Sequence, residues 1–125
     1  MKIGVPKEIK IHEYRVGLVP AGVRELVASG HQVLVQSGAG AGIGFEDSHY
    51  QSAGAVIAQR SEDIFATSDL VVKVKEPQLS ECKQLRSGQT LFTYLHLAAD
   101  RDQAQALLAS GSTAIAYGSC AAAPR

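Results

Sequence analysis

Short apolar segments alternate with helical patterns along this chain, about once every 20 residues. Most of the apolar segments are continuous rather than alternating, which is typical of strands buried on both faces. They lie at residues 2–5, 32–36, 55–58, 70–74, 90–95 and 113–116. Such an alternation indicates βαβ units, whose right-handed crossovers place helices on both faces of a sheet. We therefore expect a single α/β domain of Rossmann-like (flavodoxin-like) topology with a mostly parallel sheet.

Helix signals fill the intervals between the predicted strands. Proline near the start or a serine before acidic residues indicates a helix N-terminus, and glycine indicates its end. The predicted helices are PAGVRELVASG (20–30), SEDIFATS (61–68, with Ser61 as the cap), PQLSECKQLRSG (77–88) and DRDQAQALLASG (100–111), with a shorter one in EDSHYQSAG (46–54). The small, unpatterned residues 118–125, GSCAAAPR, are expected to form a disordered or non-native tail.

Composition excludes several classes of protein. The 125 residues fit one domain, and a formal net charge of zero gives no electrostatic reason to bind nucleic acid or an anionic membrane. No apolar run approaches the roughly 20 residues that a membrane span needs. The two cysteines, Cys82 and Cys120, show neither a disulfide framework nor metal-ligand spacing. We expect a cytoplasmic protein without a metal site.

A glycine-rich stretch, VLVQSGAGAGIGF, invites comparison with dinucleotide-binding loops. Gly38 and Gly40 begin the G-x-G-x-x-G spacing, but the third position is Ile43. No long helix opens there, and no acidic residue ends a strand about 20 residues later, where a ribose ligand is expected. We interpret the stretch as a turn whose glycines permit positive φ and close packing, and we predict no cofactor-binding residues in it.

Three polar residues follow predicted strands at separate junctions. They are Arg15 after the first strand, Lys75 after DLVVKVK and His96 after TLFTYL. Ligands of open parallel sheets bind beyond the carboxyl ends of strands, so these side chains could converge. Arginine presents a fork for a carboxylate, lysine a point charge and histidine a proton near neutral pH. Together they suit a small oxo acid.

Each of the three residues also has a simpler interpretation. Alone, Arg15 and Lys75 would be surface residues and His96 a half-buried side chain among apolar neighbours. Lys73 is two positions from Lys75 and could compete for its role. Glu8 and Glu13 flank Arg15 and could orient it by charge pairing.

The motifs in residues 1–117 resemble the N-terminal segment of alanine dehydrogenases. They are IGVPKEIK, HEYRVGLVPAGVREL, VLVQSGAGAGIGF, DLVVKVKEP, TLFTYLHLAAD and STAIAY, in that order. The resemblance implies an NAD-dependent interconversion of L-alanine with pyruvate and ammonia. It further implies that Arg15 and Lys75 bind the substrate and that His96 is the catalytic proton donor and acceptor.

The resemblance also sets limits on this chain. A full-length member needs a second, nucleotide-binding domain, which we expect to be absent from residues 1–125. We therefore expect the isolated chain to bind no NAD and to be inactive, with pyruvate or L-alanine as its small-molecule partner and with self-association. Two alternatives stay open: a non-catalytic, truncated or self-associating α/β module, and the related N-terminal domain of the transhydrogenase α subunit.

Overall fold

The computed structural model describes residues 1–95 and 101–116 and shows a six-stranded parallel sheet. The strands are β1 (Lys2–Val5), β2 (Gln32–Gln36), β3 (Val56–Ala58), β4 (Leu70–Val72), β5 (Thr90–Thr93) and β6 (Thr113–Ala116). The helices are α1 (Pro20–Ala28), α2 (Asp47–Ser52), α3 (Ser61–Thr67), α4 (Leu79–Cys82) and α5 (Arg101–Ser110), with a 3₁₀ turn at Ala41–Ile43. The predicted α/β fold is confirmed.

The strand order is β3-β2-β1-β4-β5-β6, and every pairing in it is parallel. Of the two doubly wound orders grouped in the prediction, this is the Rossmann one. The chain winds outward from β1 in one direction to β3 and then in the other from β4 to β6. The order therefore reverses between β1 and β4, and the loops that follow these two strands meet at the point where such sheets bind ligands.

Helices cover both faces of the sheet. On one face, α1 and α2 contribute Val23 and Tyr50 to a cluster that includes Ile3, Val5 and Val72. On the other, α3, α4 and α5 contribute Phe65, Cys82 and Leu107 to a cluster with Val71 and Leu91. Adjacent residues of β4 thus enter opposite cores, which explains why the buried strands read as continuous apolar runs. No helix within the described ranges is long and apolar enough to cross a bilayer.

Several predicted boundaries were wrong. The helix predicted over 77–88 occupies only α4, because Leu85 turns into the core and the Arg86 side chain donates to the carbonyls of Phe65 and Ser68. Ser61 is the first helical residue of α3 rather than its cap, a position held by Arg60. The strand predicted over 70–74 ends at Val72, and the one over 90–95 ends at Thr93.

Gly17 fixes the loop after β1 against the end of β4. A Cβ added to Gly17 would lie 2.5 Å from the Val72 carbonyl oxygen, a backbone atom that has no freedom to rotate away. We expect Gly17→Ala to lower the free energy of unfolding by about 1–3 kcal/mol, because the loop must lift off the sheet. Gly22→Ala is the matched control within α1, where the nearest atom is 3.6 Å away, and it should stabilise by about 0.5–1 kcal/mol. Urea denaturation measures both, and equal effects of the two substitutions would contradict this account.

Candidate functional site

Arg15 lies in the loop between β1 and α1 and is held by Glu13. Its Nε donates to Glu13 Oε2 over 3.0 Å and its Nη2 to Oε1 over 2.9 Å, while its backbone N–H also donates to Oε2 over 2.9 Å. The Arg15 side chain is 58% exposed, whereas that of Glu13 is only 5% exposed. The buried Glu13 carboxylate therefore fixes the guanidinium through Nε and Nη2. Among the described residues, Nη1 has no acceptor. This free edge of the fork is suited to a second carboxylate.

The same contact perturbs the ionisation of Glu13. Hydrogen bonds from the Arg15 side chain are the main cause that lowers the pKa of Glu13 to about 2, and the charge of Lys75 lowers it further. Lys75 thus acts electrostatically on the carboxylate that holds Arg15. The N–H of Lys75 also donates to Glu8 in the loop that carries Arg15, so the two predicted substrate-binding residues lie at the same end of the sheet.

This lowered pKa predicts an acid-sensitive contribution to stability. A carboxyl whose pKa is lower in the folded state stabilises above its ordinary pKa of 4.5 and loses that contribution as the pH falls toward 2. Because Arg15 is more than half exposed, we expect the loss to be about 1 kcal/mol. Glu13→Gln should lower stability at pH 7 and make it less dependent on pH below 4.5, as followed by urea denaturation. Glu25→Gln on the exposed surface of α1 is the control, and an acid profile as steep in Glu13→Gln as in the parent chain would contradict the assignment.

Lys75 follows β4 and is half-buried. Its backbone N–H donates to Glu8 Oε1 over 3.1 Å, and its carbonyl accepts from the Thr93 hydroxyl over 2.7 Å. Among the described residues, none forms an ion pair with the Lys75 ammonium. Its peptide is therefore fixed on both sides, while the charged end of its side chain stays available to a ligand.

Lys73 does not compete with Lys75 for the ligand. Its side chain is 1% exposed, and its Nζ lies 3.0 Å from Glu8 Oε1 and 3.2 Å from Glu81 Oε2. Burial is the main cause that raises the pKa of Glu81, and the charge of Lys73 is the main opposing one. Lys73 is thus the centre of a buried ion cluster formed by Glu8, Lys73 and Glu81. The hypothesis that Glu8 pairs with Arg15 was wrong, because Glu8 pairs with Lys73, whereas Glu13 does bind Arg15.

A cavity of about 330 Å³ opens beside Arg15. It is lined by residues between 7 and 15 of the β1 loop, including Glu8 and Arg15, and by residues between 38 and 42 of the turn after β2. Lys75 does not line the cavity. Its backbone N–H is bonded to Glu8, which does line it. The volume is at the lower end of the range for small-molecule sites and suits a compact ligand.

The glycine turn forms the other wall of this cavity. Gly38 and Gly44 have φ of 80° and 86°, and a Cβ on Gly42 would lie 2.7 Å from the Tyr14 carbonyl oxygen. Asp47 accepts hydrogen bonds from the Gly38 N–H over 2.9 Å and from the Ser37 hydroxyl over 2.6 Å. The Asp47 carboxylate thus takes the N–H of Gly38, which is the kind of donor that binds phosphate in dinucleotide-binding loops. The turn follows β2 rather than β1, so the residues present do not fit a bound dinucleotide.

His96 lies outside the described residues, as does the predicted tail at 118–125. Their predictions stay predictions. Sequence reasoning missed the ion pair of Glu8 with Lys73 and the hydrogen bond that Glu8 accepts from the Lys75 N–H. A lysine inside the apolar run LVVKV is the signal that could have found the first of them, since a buried ammonium needs a buried carboxylate.

Comparison with known proteins gives one consistent result. Residues 4–123 match the family described as alanine dehydrogenase/PNT, N-terminal domain. The chain is 55% identical to an alanine dehydrogenase of Halomonas elongata and 54% identical to one of Bacillus subtilis, each over 117 residues. These matches cover 94% of this chain but 32% and 31% of the relatives, so the chain spans about a third of their length.

Solved structures agree with the sequence matches. An L-alanine dehydrogenase structure superposes with a TM-score of 0.91 at 50% identity, covering 94% of this chain and 32% of the other. A transhydrogenase from Sinorhizobium meliloti superposes with a TM-score of 0.87 at 28% identity, covering 93% and 34%. The higher identity lies on the alanine dehydrogenase side of the family, in agreement with the motifs of the sequence.

Proposed function

Because this chain belongs to the alanine dehydrogenase/PNT N-terminal domain family, we propose that it is the substrate-binding part of an alanine dehydrogenase. Its ligand is pyruvate or L-alanine. The observation that carries the proposal is the guanidinium of Arg15, locked by Glu13 beside a small cavity, with Lys75 on the adjoining loop at the point where the strand order reverses. Two cations near one small cavity favour a small carboxylate.

Each residue has a separate role in this proposal. The free edge of Arg15 binds the substrate carboxylate, and Lys75 donates to the carbonyl oxygen of pyruvate. His96 donates or accepts the proton of that oxygen, as its place after the strand at 90–95 predicts. Glu13 holds Arg15 so that its orientation is set before the ligand arrives.

The oxidoreductase chemistry needs a part that the described residues do not supply. NAD serves as hydride carrier in the proposed full-length protein, and the glycine turn of this chain does not fit it, since Asp47 takes the Gly38 N–H and Ile43 stands at the third glycine position. We propose that residues 1–125 alone bind substrate weakly and do not turn over. A site with one wall missing loses affinity, and a nicotinamide must lie close to the substrate carbon. The cytoplasm, where thiols stay reduced, is the proposed location.

Titration of the isotopically labelled chain with pyruvate tests the proposal by NMR. We expect saturable shifts at Arg15, Glu13 and Lys75 and at the amides of the glycine turn. Pyruvamide, which lacks the negative charge, is the matched control and should leave these signals in place. Shifts confined to the opposite edge of the sheet, around Lys2 and Asp69, would refute the assignment. NADH oxidation by the chain alone, with pyruvate and ammonia, should stay at background, and turnover would overturn the proposed inactivity.

A second candidate is a self-associating module without catalytic activity. Ile11 in the β1 loop and Leu108 on α5 are 83% and 82% exposed, and apolar side chains this open favour association. Sedimentation at increasing concentration separates the candidates when combined with the titration. A dimer that ignores pyruvate supports the module, and a pyruvate-binding chain in either state supports the substrate-binding part.

A further inference from the structure

Glu8 makes three contacts with the segment that follows β4. Its Oε2 accepts the N–H of Val74 over 3.0 Å, and its Oε1 accepts the N–H of Lys75 over 3.1 Å and the ammonium of Lys73 over 3.0 Å. Glu8 is 7% exposed, so these bonds form away from water. The N–H groups of Val74 and Lys75 both donate to this one carboxylate. The two bonds fix the direction of the backbone at Lys75 and thereby the direction in which its side chain starts.

The segment is held from the side of β5 as well. Tyr94 donates its N–H to the Val74 carbonyl over 3.1 Å, and the buried Thr93 hydroxyl donates to the Lys75 carbonyl over 2.7 Å. Contact with β5 therefore continues past Val72, since the Lys73 N–H also donates to the Phe92 carbonyl over 3.0 Å. The N–H groups of Val74 and Lys75 turn toward the β1 loop instead. Glu8 supplies the acceptors that β1, which ends at Val5, no longer provides.

The remaining member of the ion cluster secures the far end of this segment. Glu81 of α4 binds Lys73 through Oε2 and accepts the N–H of Gln78 through Oε1 over 2.9 Å. The turn that carries Lys75 is thus fixed before and after it by carboxylates that share one ammonium. Both oxygens of Glu8 accept from donors, namely the ammonium of Lys73 and the N–H groups of Val74 and Lys75. A glutamine at position 8 would place its NH₂ group, itself a donor, against at least one of them, so a carboxylate is required there.

We propose that Glu8 is a positioning residue that aims Lys75 at the ligand bound by Arg15. This inference rests on the proposed function. Glu8 lies in the same loop as Arg15, seven residues earlier, and it holds the peptide of Lys75 directly. Glu8 therefore couples the two loops that meet at the reversal of strand order, which the ion pair of Lys10 with Glu76 also joins. Of these two contacts, that of Glu8 is made to the peptide of Lys75 itself, so Glu8 sets the separation of the two cations that receive a carboxylate and its neighbouring oxygen.

A double-mutant cycle separates this role from a general structural one. In the full chain, Glu8→Gln should weaken pyruvate binding by about tenfold, and Lys75→Gln by at least as much. The double substitution should be no weaker than Lys75→Gln alone, because Glu8 acts through Lys75. Glu25→Gln is the matched control on the exposed side of α1 and should leave the affinity unchanged. Additive losses in the double variant would overturn the proposal.

Amide hydrogen exchange supplies a measurement that needs no ligand. In Glu8→Gln, the amides of Val74 and Lys75 should exchange about tenfold faster than in the parent chain, while those of β2 keep their protection. Unchanged exchange at both amides would overturn the positioning role whatever the ligand result. If the parent chain fails to bind pyruvate but these amides lose protection, the proposed substrate is wrong and the hold of Glu8 on Lys75 stands. A global loss of protection in Glu8→Gln would show a structural role instead and overturn the proposal.

Discussion

Lys73→Met should lower the free energy of unfolding by about 3–5 kcal/mol, since it leaves the buried carboxylates of Glu8 and Glu81 without their shared cation. For a domain of this size, that corresponds to a fall of about 10–20 °C in Tm. Methionine nearly conserves the volume of the lysine, so the loss reports charge rather than a cavity. Calorimetry or urea denaturation measures it.

The pH dependence of this variant follows from the same contacts. Burial already raises the pKa of Glu81, and Lys73 opposes that effect. Without Lys73, the pKa of Glu81 in the folded state lies still further above its value in the unfolded state, so stability falls as the pH rises above the unfolded value. The deficit of Lys73→Met relative to the parent chain should therefore be smaller at pH 5 than at pH 8. A deficit that grows on acidification would contradict this account.

Two further variants test whether the loss of stability in Lys73→Met comes from the ion cluster of Glu8, Lys73 and Glu81. Arg60→Met removes the cation of an exposed pair with Asp63 and should change the free energy of unfolding far less than Lys73→Met does. Adding Glu81→Gln to Lys73→Met removes one of the two buried carboxyl groups that have lost their cation, and it should recover part of the loss. A Lys73→Met chain as stable as Arg60→Met would show that the cluster is hydrated.

Much of the fold could be predicted from the sequence because strands buried on both faces leave a strong apolar signal. The segments 2–5, 32–36 and 113–116 match the observed strands to the residue. The strand order could not be read in the same way, because any right-handed crossover fits the pattern of strand and helix. The helix predicted at 77–88 was wrong since tertiary contacts of Leu85 and Arg86 decide that segment.

The position of the candidate site could be predicted from the sequence, but the buried contacts that hold its residues in place could not. Arg15 and Lys75 follow strands, and parallel strands bring such positions to one edge. The partner of Lys73 lies 65 residues away, and no periodicity connects the two. Glu8 stands between Lys7 and Ile9 in a segment that has the composition of a solvated surface. Its burial is decided by the reversal of strand order, which places the β1 loop against the end of β4.

Arg15→Met should weaken pyruvate binding by about 100-fold, because it removes the two charge-assisted hydrogen bonds that the proposed site forms with the carboxylate. It also releases Glu13, whose pKa of about 2 depends first on the Arg15 side chain. The freed carboxylate stays ionised at neutral pH and repels the anionic ligand. Arg15→Lys keeps the charge without the fork and should lose about tenfold.

The NMR titration with pyruvate gives both affinities, and the control is Arg24→Met on the exposed surface of α1. Combining Arg15→Met with Glu13→Gln should recover part of the loss, because the repelling charge is gone. An Arg15→Met chain that binds pyruvate as the parent does would place the ligand elsewhere. Equal losses in Arg15→Met and Arg24→Met would show that only net charge matters, because each substitution removes one positive charge but only Arg15 lines the cavity.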